Sequence, residues 1–441
     1  EIAKETEYIN YNIRMTREAY GLSEVSTEKF TVENNLDLEA LNNNKEIISN
    51  IRLWDSRPLL STYGQLQELR QYYNIVNVDI DRYQIDGDYR QVMLGAREMD
   101  QSLLSGEAQT WVNQTLKYTH GYGLVMSPVN RVTDKGLPEF FIKDIPANVG
   151  VDIELNNAAI YYGEKTDNYI VANNKTKEFH YPMGSENVYK NYTGTGGVQL
   201  NDMFKKAVYA ARFNTLKMLL ADEITPQSRI MYYRNIKERV RKAAPFLKYD
   251  DNPYLVVAQG KLYWIQDAYT TTDNYPYSEP TNNMGNYIRN SVKVVIDAYN
   301  GTMDYYVVDD SDPLALTYQK IFPDLFVDGS EMPDELRKHI RYPEDLFVIQ
   351  SRLYSTYHMT DPTVFYNKED LWEIPEENYS GNSIKMKPYY IIGQLPGEEK
   401  AEFILMRPFT PVGKNNMVSW MAARSDGDHY GELMTYTFSK E

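Results

Sequence analysis

The aromatic side chains of this sequence are mostly tyrosines, 39 Tyr beside only 14 Phe. Tyrosine is an apolar body with a polar tip, so an interior built from it must find a partner for every hydroxyl it covers. Five Tyr-Tyr pairs occur, beginning at Tyr72, Tyr161, Tyr232, Tyr305 and Tyr389. On a strand such neighbours point to opposite faces. They read as half-buried sheet residues with wet hydroxyls, the alternative being aromatic platforms for sugars or peptide partners.

The rest of the composition narrows the class. A chain of 441 residues with 42% hydrophobic and 24% charged side chains is an ordinary globular polypeptide, long enough to bury a core without disulfides. It has no cysteine, which removes disulfide frameworks, cysteine nucleophiles and cysteine-ligated metals. The net charge of −16 argues against nucleic acid as a general partner. No apolar run approaches the roughly 18 residues of a membrane-spanning helix. The first residue is Glu and no signal-peptide pattern follows, so the chain reads as processed or as a fragment of a longer one.

Periodicity predicts a helix over residues 1–20, with Ile2, Ile9, Ile13 and Tyr20 on one face and Gly21 as its stop. A second helix starts near Pro58 and turns Leu66, Leu69 and Tyr73 inward. Val76, Val78 and Ile80 then alternate with Asn77, Asp79 and Asp81, a half-buried strand that turns at Asp86-Gly87. Ser105 is placed to cap a short helix carrying Ala108, Trp111, Val112 and Thr115. Its carbonyl end would favour a protonated His120. Leu200 to Leu220 is the clearest helix, with Met203, Phe204, Ala207, Val208, Ala211, Leu216 and Leu220 in a wide apolar stripe. Further hairpins are predicted around Gly260-Lys261 and Asn300-Gly301, and a helix from Pro343. Helices mingle with antiparallel hairpins without strict alternation, so the expected class is α+β. Two lobes are expected, 1–198 and 199–441, meeting near the Gly194–Gly197 loop.

Candidate chemistry is sparse. None of the five histidines lies at metal-ligand spacing from another. Trp111, His120 and Tyr122, with His358 and Asp361, are the candidate binding residues, against ordinary capping and packing roles. Asp309, Asp310 and Asp312, and the group Asp79, Asp81, Asp86 and Asp88, could supply calcium oxygens. Neither matches an EF-hand loop, and solvated turns are the plainer reading. No other cofactor is expected. The stretch SRIMYYRNIKERVRKAAPFLK gathers Arg234, Lys237, Arg239, Arg241 and Lys242 in an acidic chain. It reads as a solvated helix face, or as a contact for anionic lipid headgroups or acidic wall polymers. Phosphate-loop and nucleophile-elbow motifs are absent.

Several long stretches resemble one family: TWVNQTLKYTHGYG, GLPEFFIKDIP, GKLYWIQDAYTTTDNYPYSEP, LRKHIRYPEDLFVIQSRLYSTYHMTDPTVFYNKEDLWEIP and LMRPFTPVGKNNMVSWMAARSD. They are similar to the uncharacterised bacterial membrane-protein family numbered 0182, over nearly the whole chain. The resemblance implies several N-terminal membrane helices followed by a large region outside the cytoplasm, of which this chain is part, and a C-terminal continuation. It carries no catalytic residues. The expectation is therefore an extracytoplasmic binding module at the cell membrane. Its partners would be its own membrane helices and a wall polymer, lipid headgroup or envelope protein. An enzyme acting on envelope polymers, a hydrolase or transferase, and the outer domain of a transporter are the rivals.

Overall fold

The computed structural model describes residues 2–32 and 36–438. The chain is α+β: among the described residues mostly antiparallel strands form three six-stranded sheets and several small ones, with helices set among them. In the central sheet the strand Lys261–Thr272 pairs with Tyr254–Ala258 on one side and with Tyr287–Asp297 on the other. The first hairpin turns through Gln259 and Gly260, both at positive φ, one residue before the expected turn. The second turns across Asn300-Gly301 into Met303–Val307. Asp86 and Gly87, also both at positive φ, join Asp79–Ile85 to Asp88–Met99 in a second sheet as expected, the backbone of a type I′ turn.

The third sheet is built on Glu402–Pro411, Ser419–Arg424 and Leu433–Phe438. Its edge is Ser26–Phe30, which runs parallel to Leu433–Phe438. The first helix, Ile2–Ala19, buries Ile13, Thr16 and Ala19 and ends at Gly21 with φ +66°. Gln350 on the helix Glu344–Tyr357 donates to the Tyr20 carbonyl at 2.9 Å. One apolar core joins Leu94, Met126 and Ile160 to Trp264, Val294 and Tyr305. The 198/199 boundary drawn from the sequence thus runs between segments that share a core.

The tyrosines depart from the half-wet expectation. Tyr63, Tyr254 and Tyr305 are fully buried, and their hydroxyls donate to the main-chain carbonyls of Met93, His339 and Val240 at 2.9, 2.9 and 3.0 Å. Carbonyls left over from strands and helix ends serve where water was expected. Tyr73, expected on a helix, lies in a strand, and its buried hydroxyl has no partner among the described residues.

Two further expectations fail for tertiary reasons. Asp79 and Asp81 are buried rather than facing solvent, because the strand that carries them is covered on both faces. Asp79 Oδ2 accepts from Leu255 N at 2.9 Å, Tyr83 OH accepts from Val257 N at 3.0 Å, and Asp81 Oδ2 pairs with His339 Nδ1 at 2.8 Å. The helix read over 200–220 is broken. Met203–Arg212 and Lys217–Leu220 are separated at Asn214, whose φ is +48°. Its inward face is Tyr209, Ala210 and Phe213, with Phe213 stacked on Tyr169 at 4.1 Å. Most of the apolar stripe faces outward instead.

Candidate functional site

His120 sits where the short strand Gly121–Tyr122 pairs with Ala159–Ile160. Gly121 lets this strand press onto Asp88–Met99, since a Cβ there would stand 2.5 Å from the Arg97 carbonyl oxygen. Ser105 makes no side-chain cap and the following segment is a π-helical turn over Asn113–Lys117, so no regular helix end faces His120. The imidazole is buried and stacks on Tyr161 at 4.5 Å. Burial lowers its pKa well below the usual histidine value, with the neighbouring His180 adding to the effect. The protonated form expected from the sequence is therefore corrected to a neutral one.

Besides its neighbour Thr119, the partner of His120 is His180, 60 residues downstream and beyond any spacing signal in the sequence. Glu178 Oε2 accepts from Thr119 Oγ1 at 2.7 Å and from Tyr161 OH at 2.8 Å. Its Oε1 accepts from the amides of Asn173 and Tyr192 at 2.6 and 3.0 Å. A threonine hydroxyl that donates to Glu178 must accept from His120 Nδ1, 2.8 Å away. His120 Nε2 is then bare and accepts from His180 Nδ1 at 3.0 Å. This is a linear hydrogen-bond chain from His180 through His120 and Thr119 to Glu178, a means of fixing a buried polar cluster. Tyr122 packs edge-on to His180 at 4.9 Å, and Trp111 donates to Tyr169 OH at 2.9 Å while packing elsewhere.

His358 belongs to a different cluster. It stacks on Trp372 at 3.7 Å, its Nδ1 meets the Tyr354 carbonyl at 2.9 Å, and its Nε2 lies 3.6 Å from Asp370. Asp361 caps the helix Pro362–Asn367 through the amides of Thr363 and Val364. Among the described residues His120 and His358 share no partner, so His120, His358 and Asp361 are not brought into one site. Asp312 is buried and accepts from Ser291 Oγ, Tyr287 OH and Leu314 N; Asp309 accepts from Ser311. Asp310 is exposed beside them. Among the described residues no group of three or more such side chains could hold a metal ion.

The basic stretch divides. Arg234 is fully buried and donates to the carbonyls of Tyr161, Asn168 and Thr119, so it belongs to the interior behind His120 and not to a surface patch. The others lie on the helix Ile236–Ala243, capped by Asn235, whose buried face is Ile236 and Val240. Lys237 donates to the Asp251 carbonyl at 2.7 Å, and Arg239 to that of Gly301 at 2.7 Å. Arg241 and Lys242 are exposed.

Beside this helix is a cleft of about 370 Å³, walled by Tyr162, Tyr232, Tyr233, Arg239, Lys242 and Met303. Gly197 closes one side; a Cβ there would lie 2.5 Å from the Ile230 carbonyl oxygen. The Arg239 guanidinium lies 4.7 Å from the Tyr162 ring and the Lys242 ammonium 5.4 Å from the Tyr233 ring. Arg212 reaches in from the neighbouring helix, donating to Tyr233 OH at 2.8 Å. Tyr233 is held at φ +49°, a conformation a bulky residue keeps only where its surroundings enforce it. No carboxylate lines this cleft among the described residues. A wider depression of about 630 Å³ runs along the other flank of the same helix, past Lys237, Arg241 and Lys242. Three cations set on aromatic faces form a place for an anionic group on a ring or chain.

Comparison with known proteins gives kinship without an activity. No solved structure matches the chain. A "UPF0182 protein" of Pelotomaculum thermopropionicum is 53% identical over 441 residues, covering all of this chain and 48% of the relative. One of Trichodesmium erythraeum is 53% identical over 460 residues, covering all of this chain and 50% of the relative. The chain thus spans about half the length of the curated relatives it matches. With a family model described as "Uncharacterised protein family (UPF0182)" matching residues 1–441, this chain belongs to that family.

Proposed function

We propose that this chain is a binding module of the cell envelope that holds an anionic polymer segment in the cleft beside Ile236–Ala243. In this reading it lies outside the cytoplasm and is joined to membrane helices in the rest of the protein. The observation that carries the proposal is the cleft itself. A chain of net charge −16 places Arg212, Arg239 and Lys242 around Tyr162, Tyr232 and Tyr233 with no lining carboxylate. The aromatic faces suit sugar or glycerol carbons and the cations suit phosphate or carboxylate groups.

Titration calorimetry with a glycerol phosphate oligomer, against a neutral oligosaccharide, tests this. Binding to the anionic probe alone is expected, weakening as salt rises. The double variant Arg212→Glu, Lys242→Glu, at exposed positions, is expected to raise Kd by at least about ten-fold. Equal binding of the neutral probe, or no response to charge reversal, would refute the reading.

A further inference from the structure

The outward face of the broken helix carries several large apolar side chains that nothing in the fold covers. Phe204, Leu216 and Leu220 are 78%, 71% and 76% exposed, and Met203 and Val208 are exposed as well. Phe204, Ala207, Val208 and Ala211 recur at helical spacing on one exposed side of Met203–Arg212, and the opposite side packs through Tyr209, Ala210 and Phe213. Isolated apolar residues on a surface need no explanation, but a contiguous row of large ones does.

The charge on the same segment identifies what the row faces. Between Met203 and Leu220 the sequence contains Lys205, Lys206, Arg212 and Lys217 and no acidic residue, in a chain with 62 of them. Lys205 flanks the apolar row, donating to Asn201 at 2.7 Å with Asp202 3.7 Å away, while Lys206 lies on the packed side and donates to the Ile224 carbonyl. Lys217 is exposed. Apolar side chains on one face with cations along their flanks form the pattern of a helix lying in the boundary layer of an anionic bilayer, apolar groups among the acyl chains and ammonium groups at the phosphates.

We infer that the segment Met203–Leu220 docks on the surface of a bilayer containing anionic phospholipid, using Met203, Phe204, Val208, Leu216 and Leu220 as the inserted face. The helix lies next to the proposed polymer cleft, since Arg212 reaches Tyr233, but docking does not depend on that cleft being occupied.

The test is sedimentation of the 441-residue chain with phosphatidylcholine vesicles containing roughly one-quarter phosphatidylglycerol. The wild type is expected to co-sediment, and less so with pure phosphatidylcholine. The triple variant Phe204→Ser, Leu216→Ser, Leu220→Ser keeps every charge and is expected to lose at least about ten-fold in partitioning. Its melting temperature and its affinity for the glycerol phosphate oligomer should be unchanged, which separates this face from the cleft. A Phe204→Trp variant should show a blue shift of its added fluorescence with the anionic vesicles. Failure of the wild type to bind, equal binding of the triple variant, or no blue shift would overturn the inference. So would a wild-type dimer that the triple variant makes monomeric, because a second copy would then be the occupant.

Discussion

Asp79 Oδ2 accepts a hydrogen bond from the Leu255 amide at 2.9 Å, joining the edge of one sheet to the edge of another through a side chain. Tyr254–Ala258 pairs with one strand only, and its outer amides would otherwise be an open edge. Asp79→Ala is expected to cost about 1–3 kcal/mol in chemical denaturation, the cost of an orphaned buried donor. Asp79→Asn keeps an acceptor and should recover most of that loss.

Burial raises the pKa of Asp79 to about 7, of Asp250 to about 7 and of Glu164 to about 8. The folded state therefore holds these protons more tightly than the unfolded one. Their contribution to stability is complete below the ordinary carboxylate range and is lost as pH rises through about 7 to 8. His180, lowered to about 4 by burial, acts in the opposite sense: its contribution is complete above about 6.5 and is lost as pH falls through its folded value. The two effects oppose each other in mild acid. Between about pH 6.5 and 8.5 the carboxylates act alone, so the melting temperature is expected to fall there by calorimetry, and less in Asp250→Asn.

The donor chain through His180, His120, Thr119 and Glu178 fixes both rings as neutral Nδ1–H tautomers. Nitrogen-15 correlation spectra of the imidazoles should show this pattern for both residues at pH 6, where a solvent-exposed histidine is largely charged. Thr119→Val should release the His120 tautomer and destabilise the fold by about 1–2 kcal/mol.

Arg234 and Arg241 are seven residues apart in one basic run, yet their substitutions should differ sharply. Arg234→Ala removes three carbonyl contacts, two of them buried, and is expected to cost about 3 kcal/mol or more. Arg241→Ala, at an exposed position, should fall within about 0.5 kcal/mol of wild type. Parallel urea melts decide it.

The contrast also marks what the sequence could show. Asp86-Gly87, Asn300-Gly301 and the Gly21 stop were legible because turn and cap chemistry is local, set by residues that tolerate positive φ. The helix around 203–212 was legible as a helix, but not in its orientation: periodicity reports an apolar face without saying what meets it. Arg234 looked like its neighbours because its carbonyl partners lie up to 115 residues away. The link of Glu178 and His180 to His120 was hidden for the same reason, since only side-chain hydrogen bonds across distant segments join them. The cationic run beside Tyr232 and Tyr233 was visible; the cleft was not, because Tyr162, Gly197 and Met303 come from separate segments.

The parallel pairing of Ser26–Phe30 with Leu433–Phe438 has a consequence for biosynthesis. A ribosome delivers the earlier strand some four hundred residues before its neighbour, so this edge must wait, unzipped, through translation of everything between. Chaperone occupancy during synthesis should concentrate on that early segment and end only when Leu433–Phe438 has emerged.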